Sequence, residues 1–342
     1  MSVHLVSVDW GTSSLRLKAV DAGGRVMASR AGSRGILNCG GEPFPDVLAA
    51  ELAVLLGEAA GDGRLAGGRT LPVLMSGMIG SRQGWAEAAY LRCPAAPADL
   101  GEALLPVATE AGPLGSLDVR IVPGMDVVDG LGMPDVMRGE ETQVFGAMRL
   151  EGIGEGVFIL PGTHSKRVIV EAGRIKGFRT YMTGEVFQAL IEHTILGRLA
   201  DGRAHFDGAF FRGVETAAGL QQAGAGPGDL LNLVFSARTR ALAGLLPEGQ
   251  VASYLSGALV GAELASHLAA GGGSGEGAQK ANVEGATWWL IGEGHLCDLY
   301  LEAARCIGLG LRPVSGDTIA AAHWAIALAA GLVVDAARAA DG

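Results

Sequence analysis

Val3, Leu5 and Val8 mark a first strand, and Val6 between them makes that strand apolar on both faces. Beyond a Gly-Thr-Ser-Ser turn, Leu15, Leu17 and Ala19 alternate with Arg16 and Lys18, the period-two signature of a half-buried strand. Asp-Ala-Gly-Gly then reverses the chain into RVMAS, so the chain opens as a three-stranded antiparallel meander and not as a βαβ unit. Residues Phe44 to Ala60 predict a helix with Val47, Leu48, Leu52, Leu55 and Leu56 on one side. Leu71 to Met75 reads as a buried strand running into SGMIGSRQGW, and Val119 to Val122 as another ending in PGMD. A Gly-Glu-Glu opening, with Val144 and Met148 one turn apart, predicts a helix starting near Glu140.

Val157 to Leu160 opens a second meander. Helices are predicted over Tyr181 to Leu199, Gly208 to Gly224, Leu230 to Ala243 and Tyr254 to Ala270. Gly271 to Gly277 reads as a flexible loop. Trp288 to Ile291 is a strand entering Gly-Glu-Gly-His, followed by helices over Leu296 to Gly308 and Ile319 to Ala337. Each half therefore starts with a meander and continues with alternating helices and strands. That order is an internal duplication, and such α/β halves usually face each other across a cleft. The division falls near residue 139, giving an N-terminal domain of 1–139 and a C-terminal domain of 140–342.

Composition sharpens this picture in three ways. The 342 residues suffice for two domains, and abundant Gly (55 residues) with Ala implies close backbone packing and Ala-lined helices. A net charge of −10, without a basic stripe, argues against nucleic-acid and anionic-membrane partners, while leaving room for a small anionic ligand. Cys39, Cys93, Cys297 and Cys306 are far apart, and the chain enters a strand directly from its N-terminus. Free thiols and a cytoplasmic location are expected. The apolar run Ile319 to Val334, broken by His323, reads as a buried helix because a membrane span takes about 20 apolar residues.

The two meanders share more than their strands. VDWGTSSLRLKAVDAGGRV and LPGTHSKRVIVEAGRI both place Gly-Thr in the first turn, at Gly11 and Gly162, 162 − 11 = 151 residues apart. Such a turn exposes backbone N–H groups, and adjacent hydroxyls add donors, which makes an anion-binding nest. Asp9 stands two residues before Gly11, where the second copy has Leu160. One carboxylate beside phosphate donors suits Mg²⁺, which takes one or two carboxylates and keeps its waters. The second copy offers His164, Ser165 and Lys166 instead. The pair reads as a nucleotide site.

DWGTSS and PGTHSK resemble the two phosphate motifs of the actin/hexokinase/Hsp70 superfamily of ATPases. Together with SGMIGSRQGW, PDVMRGEETQVFGA, YLSGALVGAEL and IGEGHL, in order from Val8 to about Leu332, they resemble the 2-dehydro-3-deoxygalactonokinase family. The resemblance implies an α/β fold of two duplicated actin/hexokinase-like (ribonuclease H-like) domains with ATP in the interdomain cleft. It also implies ATP- and Mg²⁺-dependent phosphorylation of the terminal hydroxyl of the sugar acid 2-dehydro-3-deoxy-D-galactonate, in bacterial galactonate breakdown.

Roles follow from that expectation. Gly11, Thr12, Ser13, Ser14 and Arg16 would serve the phosphates from the first half, with Asp9 on the metal, and Gly162, Thr163, His164, Ser165 and Lys166 from the second. Phosphoryl transfer further needs a proton acceptor near the crossover between halves. Glu140 is the first choice, because a helix start favours the ionised form and GEE resembles in place the Gly-Asp-Gln of glycerol-kinase-like enzymes. Glu141 and Asp126 are the alternatives. The substrate carboxylate calls for a bidentate Arg, and Arg82 is preferred over Arg138, with Gly77, Gly80, Gly84 and Trp85 shaping the same loop. Gly292, Glu293 and Gly294 resemble the adenosine motif, while His295 and Cys297 read as structural. A kinase of another sugar or sugar acid, or a nucleotide-switched binding protein, are the competing readings. Association with further copies of the chain stays open.

Overall fold

The computed structural model describes residues 2–60, 70–108, 117–200, 203–269, 285–292 and 294–335. The loop read at Gly271 to Gly277, residues 336–337 of the last predicted helix and Glu293 lie outside them.

The N-terminal half runs β1 (Leu5–Trp10), β2 (Leu15–Val20), β3 (Val26–Gly32), α1 (Phe44–Ala60), β4 (Leu71–Ser76), β5 (Tyr90–Arg92) and α2 (Pro97–Glu102). It continues with β6 (Leu105–Pro106), β7 (Leu117–Ile121), β8 (Gly124–Val128) and β9 (Pro134–Met137), and α3 (Glu140–Glu151) then crosses to the second half. The C-terminal half runs β10 (Gly156–Leu160), β11 (Ser165–Glu171), β12 (Arg174–Tyr181), α4 (Thr183–His193), α5 (Gly208–Gln222), α6 (Pro227–Leu242) and α7 (Val251–Ala269). It closes with β13 (Trp288–Leu290), α8 (His295–Cys306), β14 (Leu311–Pro313) and α9 (Thr318–Ala329).

Two sheets repeat one topology. The first has the order β3-β2-β1-β4-β7-β6 and the second β12-β11-β10-β13-β14. In each, an antiparallel meander feeds strands that run parallel to its first member, with the two-residue edge strand β6 of the first sheet antiparallel to β7. This is the duplicated ribonuclease H-like arrangement of actin/hexokinase-like proteins.

Strand alternation decides what each sheet faces. In β1, Val6, Val8 and Trp10 join the core under α1, whereas Leu5 joins the core shared with the other half. In β10, Val157 and Ile159 pack toward α5 and α8, and Phe158 and Leu160 toward the shared core. Val144 and Phe145 of α3, and Trp324 and Ile326 of α9, fill that shared core between the sheets. The predominantly apolar α9 is thus buried inside the protein, its His323 Nδ1 2.8 Å from Ser7 Oγ on β1 and its N-cap Asp317 paired with Lys18 on β2. Among the described residues no helix is long and apolar enough to cross a membrane. The four cysteines are free thiols.

Glycine supplies close helix crossings, as the composition suggests. A Cβ on Gly213 of α5 would lie 2.2 Å from the Tyr254 carbonyl of α7, and one on Gly257 of α7 2.0 Å from that of Phe210. Neither could be accommodated without moving backbone.

Three readings change. The last helix, predicted to run to Ala337, ends at Ala329, where the chain turns through Gly331 at φ 69°. The helix predicted from Tyr181 begins at Thr183 and ends at His193, because Tyr181 belongs to β12 and pairs with Ser165. A third sheet that the sequence pattern did not reveal is formed by the three short strands β5, β8 and β9. It docks on the edge strand β12, where Asp135 accepts hydrogen bonds from the Thr180 backbone N–H and hydroxyl, both 2.7 Å.

Candidate active site

Parallel α/β sheets present ligands at the carboxyl ends of their strands. The Gly11–Ser14 turn leaves the end of β1, Gly77 the end of β4, the 161–164 turn the end of β10 and Gly292 the end of β13. The first turn is tightly made. The Gly11 N–H donates to the Ser14 carbonyl at 2.9 Å, leaving Thr12 and Ser13 exposed.

In each half the segment after the third strand folds back over the turn. In the first, the Ile36 and Leu37 N–H groups donate to the Gly11 and Thr12 carbonyls at 3.0 and 3.2 Å. In the second, the first turn of α4 takes that place, with the Glu185 N–H donating to the Thr163 carbonyl at 3.0 Å. A glycine makes each contact: a Cβ on Gly35 would stand 2.4 Å from Ser13 backbone, and one on Gly184 2.5 Å from the Gly162 carbonyl oxygen. The sequence reading missed this lid of backbone, although the Thr-Gly-Glu at 183–185 is a helix-start signature.

The hairpin ladders show how the copies differ. Asp9 pairs with Arg16 across the first hairpin and Leu160 with Lys166 across the second. Matched by ladder position, Lys166 therefore stands where Arg16 does. Arg16 is half exposed and forms an ion pair with Asp9 at 3.0 Å. Lys166 has no carboxylate opposite it. Its ammonium, on a side chain only 6% exposed, instead reaches Glu140 at 3.2 Å and donates to the His164 carbonyl at 3.3 Å.

A continuous set of contacts joins these groups. A Cβ on Gly77 would lie 3.5 Å from Asp9 Oδ1, and one on Gly139 3.4 Å from the Gly77 Cα. Gly139 holds φ 104° as the N-cap of α3, a conformation only glycine adopts cheaply, and Glu140 follows it. The structure thus brings Asp9, Gly77, Glu140 and Lys166 into one place from four elements.

The three candidate carboxylates sit differently. Glu140 is 28% exposed and also accepts from the Arg138 N–H at 3.0 Å. Asp126 lies within the small sheet, paired with Arg92 at 2.7 Å. Glu141 is fully buried, accepting from the Gly139 N–H and the Thr142 hydroxyl, and desolvation, reinforced by the Glu140 charge, pushes its pKa up to about 8. It therefore does not open onto the site. A carboxyl whose folded pKa is raised favours the folded state fully at acid pH and loses that contribution as pH climbs through the folded value. Glu141→Gln is accordingly expected to gain stability relative to the parent as pH rises toward about 8, by at most about 1.4 kcal/mol per pH unit, read from thermal melts across that range.

Other assigned residues have different surroundings. Ser165 is fully buried and its hydroxyl donates to Glu263 of α7 at 2.7 Å, so its side chain turns away from the 161–164 turn. Arg82 is 87% exposed and 3.5 Å from Glu87. Gly80 is buried against Arg138, whose Nη2 donates to the Ala88 carbonyl at 2.7 Å while its guanidinium stacks on Tyr90 at 4.4 Å. Arg138 thus holds the 80–88 loop. Gly84 packs on Ile79, and Trp85 is half-buried, packed on the core under α1. Gly294 caps α8, Gly292 presses on Cys297, and His295 Nε2 lies 2.8 Å from the Ala204 carbonyl oxygen, as structural residues do.

Asp9 fits the one-carboxylate Mg²⁺ site, being 23% exposed with an exposed guanidinium as partner. Among the described residues, no group of three or more His, Cys, Asp or Glu is arranged to hold a metal.

Comparison with known proteins agrees with this architecture. The family model for 2-keto-3-deoxy-galactonokinase matches residues 9–326. The protein named "Probable 2-dehydro-3-deoxygalactonokinase DgoK1" of Rhizobium meliloti is 36% identical, over 92% of this chain and 93% of its own. The Escherichia coli 2-dehydro-3-deoxygalactonokinase is 31% identical over 93% and 95%. The crystal structure of a Sinorhizobium meliloti protein assigned the same activity superposes with a TM-score of 0.75 at 34% identity, covering 95% of this chain and 98% of that one. The chain belongs to the 2-keto-3-deoxy-galactonokinase family.

Proposed function

We propose that this kinase transfers the γ-phosphoryl group of ATP to the terminal 6-hydroxyl of 2-dehydro-3-deoxy-D-galactonate, giving the 6-phosphate and ADP. As a member of its family the chain is a phosphotransferase with an alcohol acceptor. The observation that carries the mechanistic reading is the Glu140–Lys166 contact, which puts a partly exposed carboxylate beside the cation of the second phosphate turn.

In this reading residues 1–139 supply Asp9, the Gly11–Ser14 turn and the sugar-acid loop at 77–85. Residues 140–342 supply the base, the second phosphate turn and the adenosine contacts at Gly292 to Gly294. Phosphoryl transfer asks a protein chiefly for position and charge neutralisation. The substrate hydroxyl oxygen forms the new bond to phosphorus as the bond to the ADP oxygen breaks. Glu140 accepts the hydroxyl proton. The backbone N–H groups of both turns and Lys166 take up the phosphate charge. Asp9 would hold the Mg²⁺ of the nucleotide, which would supply charge neutralisation at the leaving group. Arg82, highly exposed, would exchange its long contacts with Glu87 for a bidentate grip on the acceptor's carboxylate.

The test is ADP release against a panel of 2-keto-3-deoxy acids and aldoses. Turnover confined to the acids, with 2-dehydro-3-deoxy-D-galactonate first, is expected. Arg82→Ala is expected to reduce the preference for acids over aldoses by about tenfold or more. Turnover of no acid sinks the reading, and unchanged selectivity in Arg82→Ala removes Arg82 from the carboxylate.

A further inference from the structure

Behind the second phosphate turn lies a charged group that phosphate chemistry does not call for. Glu263, in the middle of α7, is 4% exposed. Its carboxylate gathers hydroxyls from three other elements. Ser165 of β11 donates to Oε1 at 2.7 Å, while Thr183 of α4 and, at 2.6 Å, Tyr300 of α8 donate to Oε2. His267, one helical turn along α7, stands 3.6 Å from Oε1. Burial lowers the pKa of that imidazole, so it approaches as a neutral ring and the donors that matter are hydroxyls.

A buried carboxylate is costly unless its lone pairs are filled. A residue needed only to fill space between α4, α7 and α8 would be apolar. The carboxylate's partners are the informative part. Ser165 follows His164 directly and is the first residue of β11, and Thr183 is the first residue of α4. These two positions bracket the 161–164 turn, which is itself gripped by Gly184 and Glu185 of the same helix. One carboxylate therefore ties together the strand that leaves the turn and the helix that covers it.

We infer that Glu263 is a positioning residue for the nucleotide's phosphates: acting through Ser165 and Thr183, it sets the distance between β11 and α4 and so the shape of the 161–164 turn. This rests on the reading of that turn as a phosphate site. Ser165 then contributes to nucleotide binding through Glu263 and not by touching phosphate.

The experiment uses the full chain and measures ADP affinity by calorimetry, with KM for MgATP and for the sugar acid. Glu263→Gln and the isosteric Thr183→Val are each expected to weaken ADP binding and raise KM for MgATP by about tenfold. KM for the sugar acid should stay within about twofold, a split that a general loss of stability does not produce. Because both changes act on one device, the double variant should be no weaker than Glu263→Gln alone. If Glu263→Gln fails to fold, Thr183→Val, which removes a single donor, still decides the matter. Unchanged nucleotide parameters in Thr183→Val, with only a lower Tm, overturn the inference. Lys166→Met separates the two claims. If it weakens ADP binding while Thr183→Val does not, only the role of Glu263 falls. If neither does, the phosphate reading of the turn falls with it.

Discussion

Glu140→Gln is expected to lower kcat by about 10²- to 10⁴-fold, the contribution usual for a positioned general base, while KM for the sugar acid changes little. The amide keeps the shape of the side chain and its contact with the Arg138 N–H, and loses the ability to take a proton. The same substitution has a second consequence. Lys166 is nearly buried, and its neighbours are the Glu140 carboxylate at 3.2 Å and the His164 carbonyl at 3.3 Å. Removing the carboxylate charge strands an ammonium in a poorly solvated place. A stability loss of about 1–3 kcal/mol follows, below the full cost for a wholly buried pair because Glu140 retains some solvent. Glu140→Gln/Lys166→Met should recover most of that stability and none of the turnover. Melting curves with single-turnover rates check both halves. Full activity in Glu140→Gln would take the base role away from the first residue of α3.

The second large effect concerns two glycines that touch no ligand in the proposed mechanism. Gly35→Ala and Gly184→Ala each place a methyl group 2.4–2.5 Å from backbone atoms of a phosphate turn. Backbone cannot swing aside as a side-chain end can, so the turn or its cover has to move by about 1 Å. Misplacement on that scale costs about 10²-fold in rate, and overpacking about 1–3 kcal/mol in stability. Both variants should therefore lose about 10²-fold in kcat/KM for MgATP, measured by steady-state kinetics. Gly219→Ala is the control. It sits exposed on α5 with open space around its Cβ position, so activity should hold and stability should rise by about 0.5–1 kcal/mol. Equal losses at Gly35 and Gly184 would mean that the two turns carry equal weight.

Much of this was legible in the chain. Period-two alternation at Leu15, Leu17 and Ala19, repeated after the second Gly-Thr, marks both meanders, and the Gly-Glu-Glu opening marks the start of α3 where it is found. Ser165 shows the limit. Adjacency grouped its hydroxyl with Lys166, yet successive strand residues point to opposite faces. With Lys166 directed toward Glu140, Ser165 has to face α7. Glu263 was invisible because a single carboxylate in an otherwise apolar helix reads as one solvated position. Only the arrival of hydroxyls from β11, α4 and α8 gives it a role. The small third sheet was missed because its strands run three to five residues, too short for alternation to register, although the Asp129–Gly132 segment between Val128 and Pro134 carries a hairpin signal.

The one-for-one exchange of Asp9 for Leu160 has a mechanical meaning. Arg16 is neutralised inside its own hairpin, but Lys166 must borrow its counter-charge from the crossover helix. In the proposed mechanism an incoming phosphate competes for that same ammonium. As the phosphate takes over, Glu140 is relieved of its partner and left available to the acceptor hydroxyl. In the kinase reading, the pair is an interlock that keeps the base engaged until nucleotide is present.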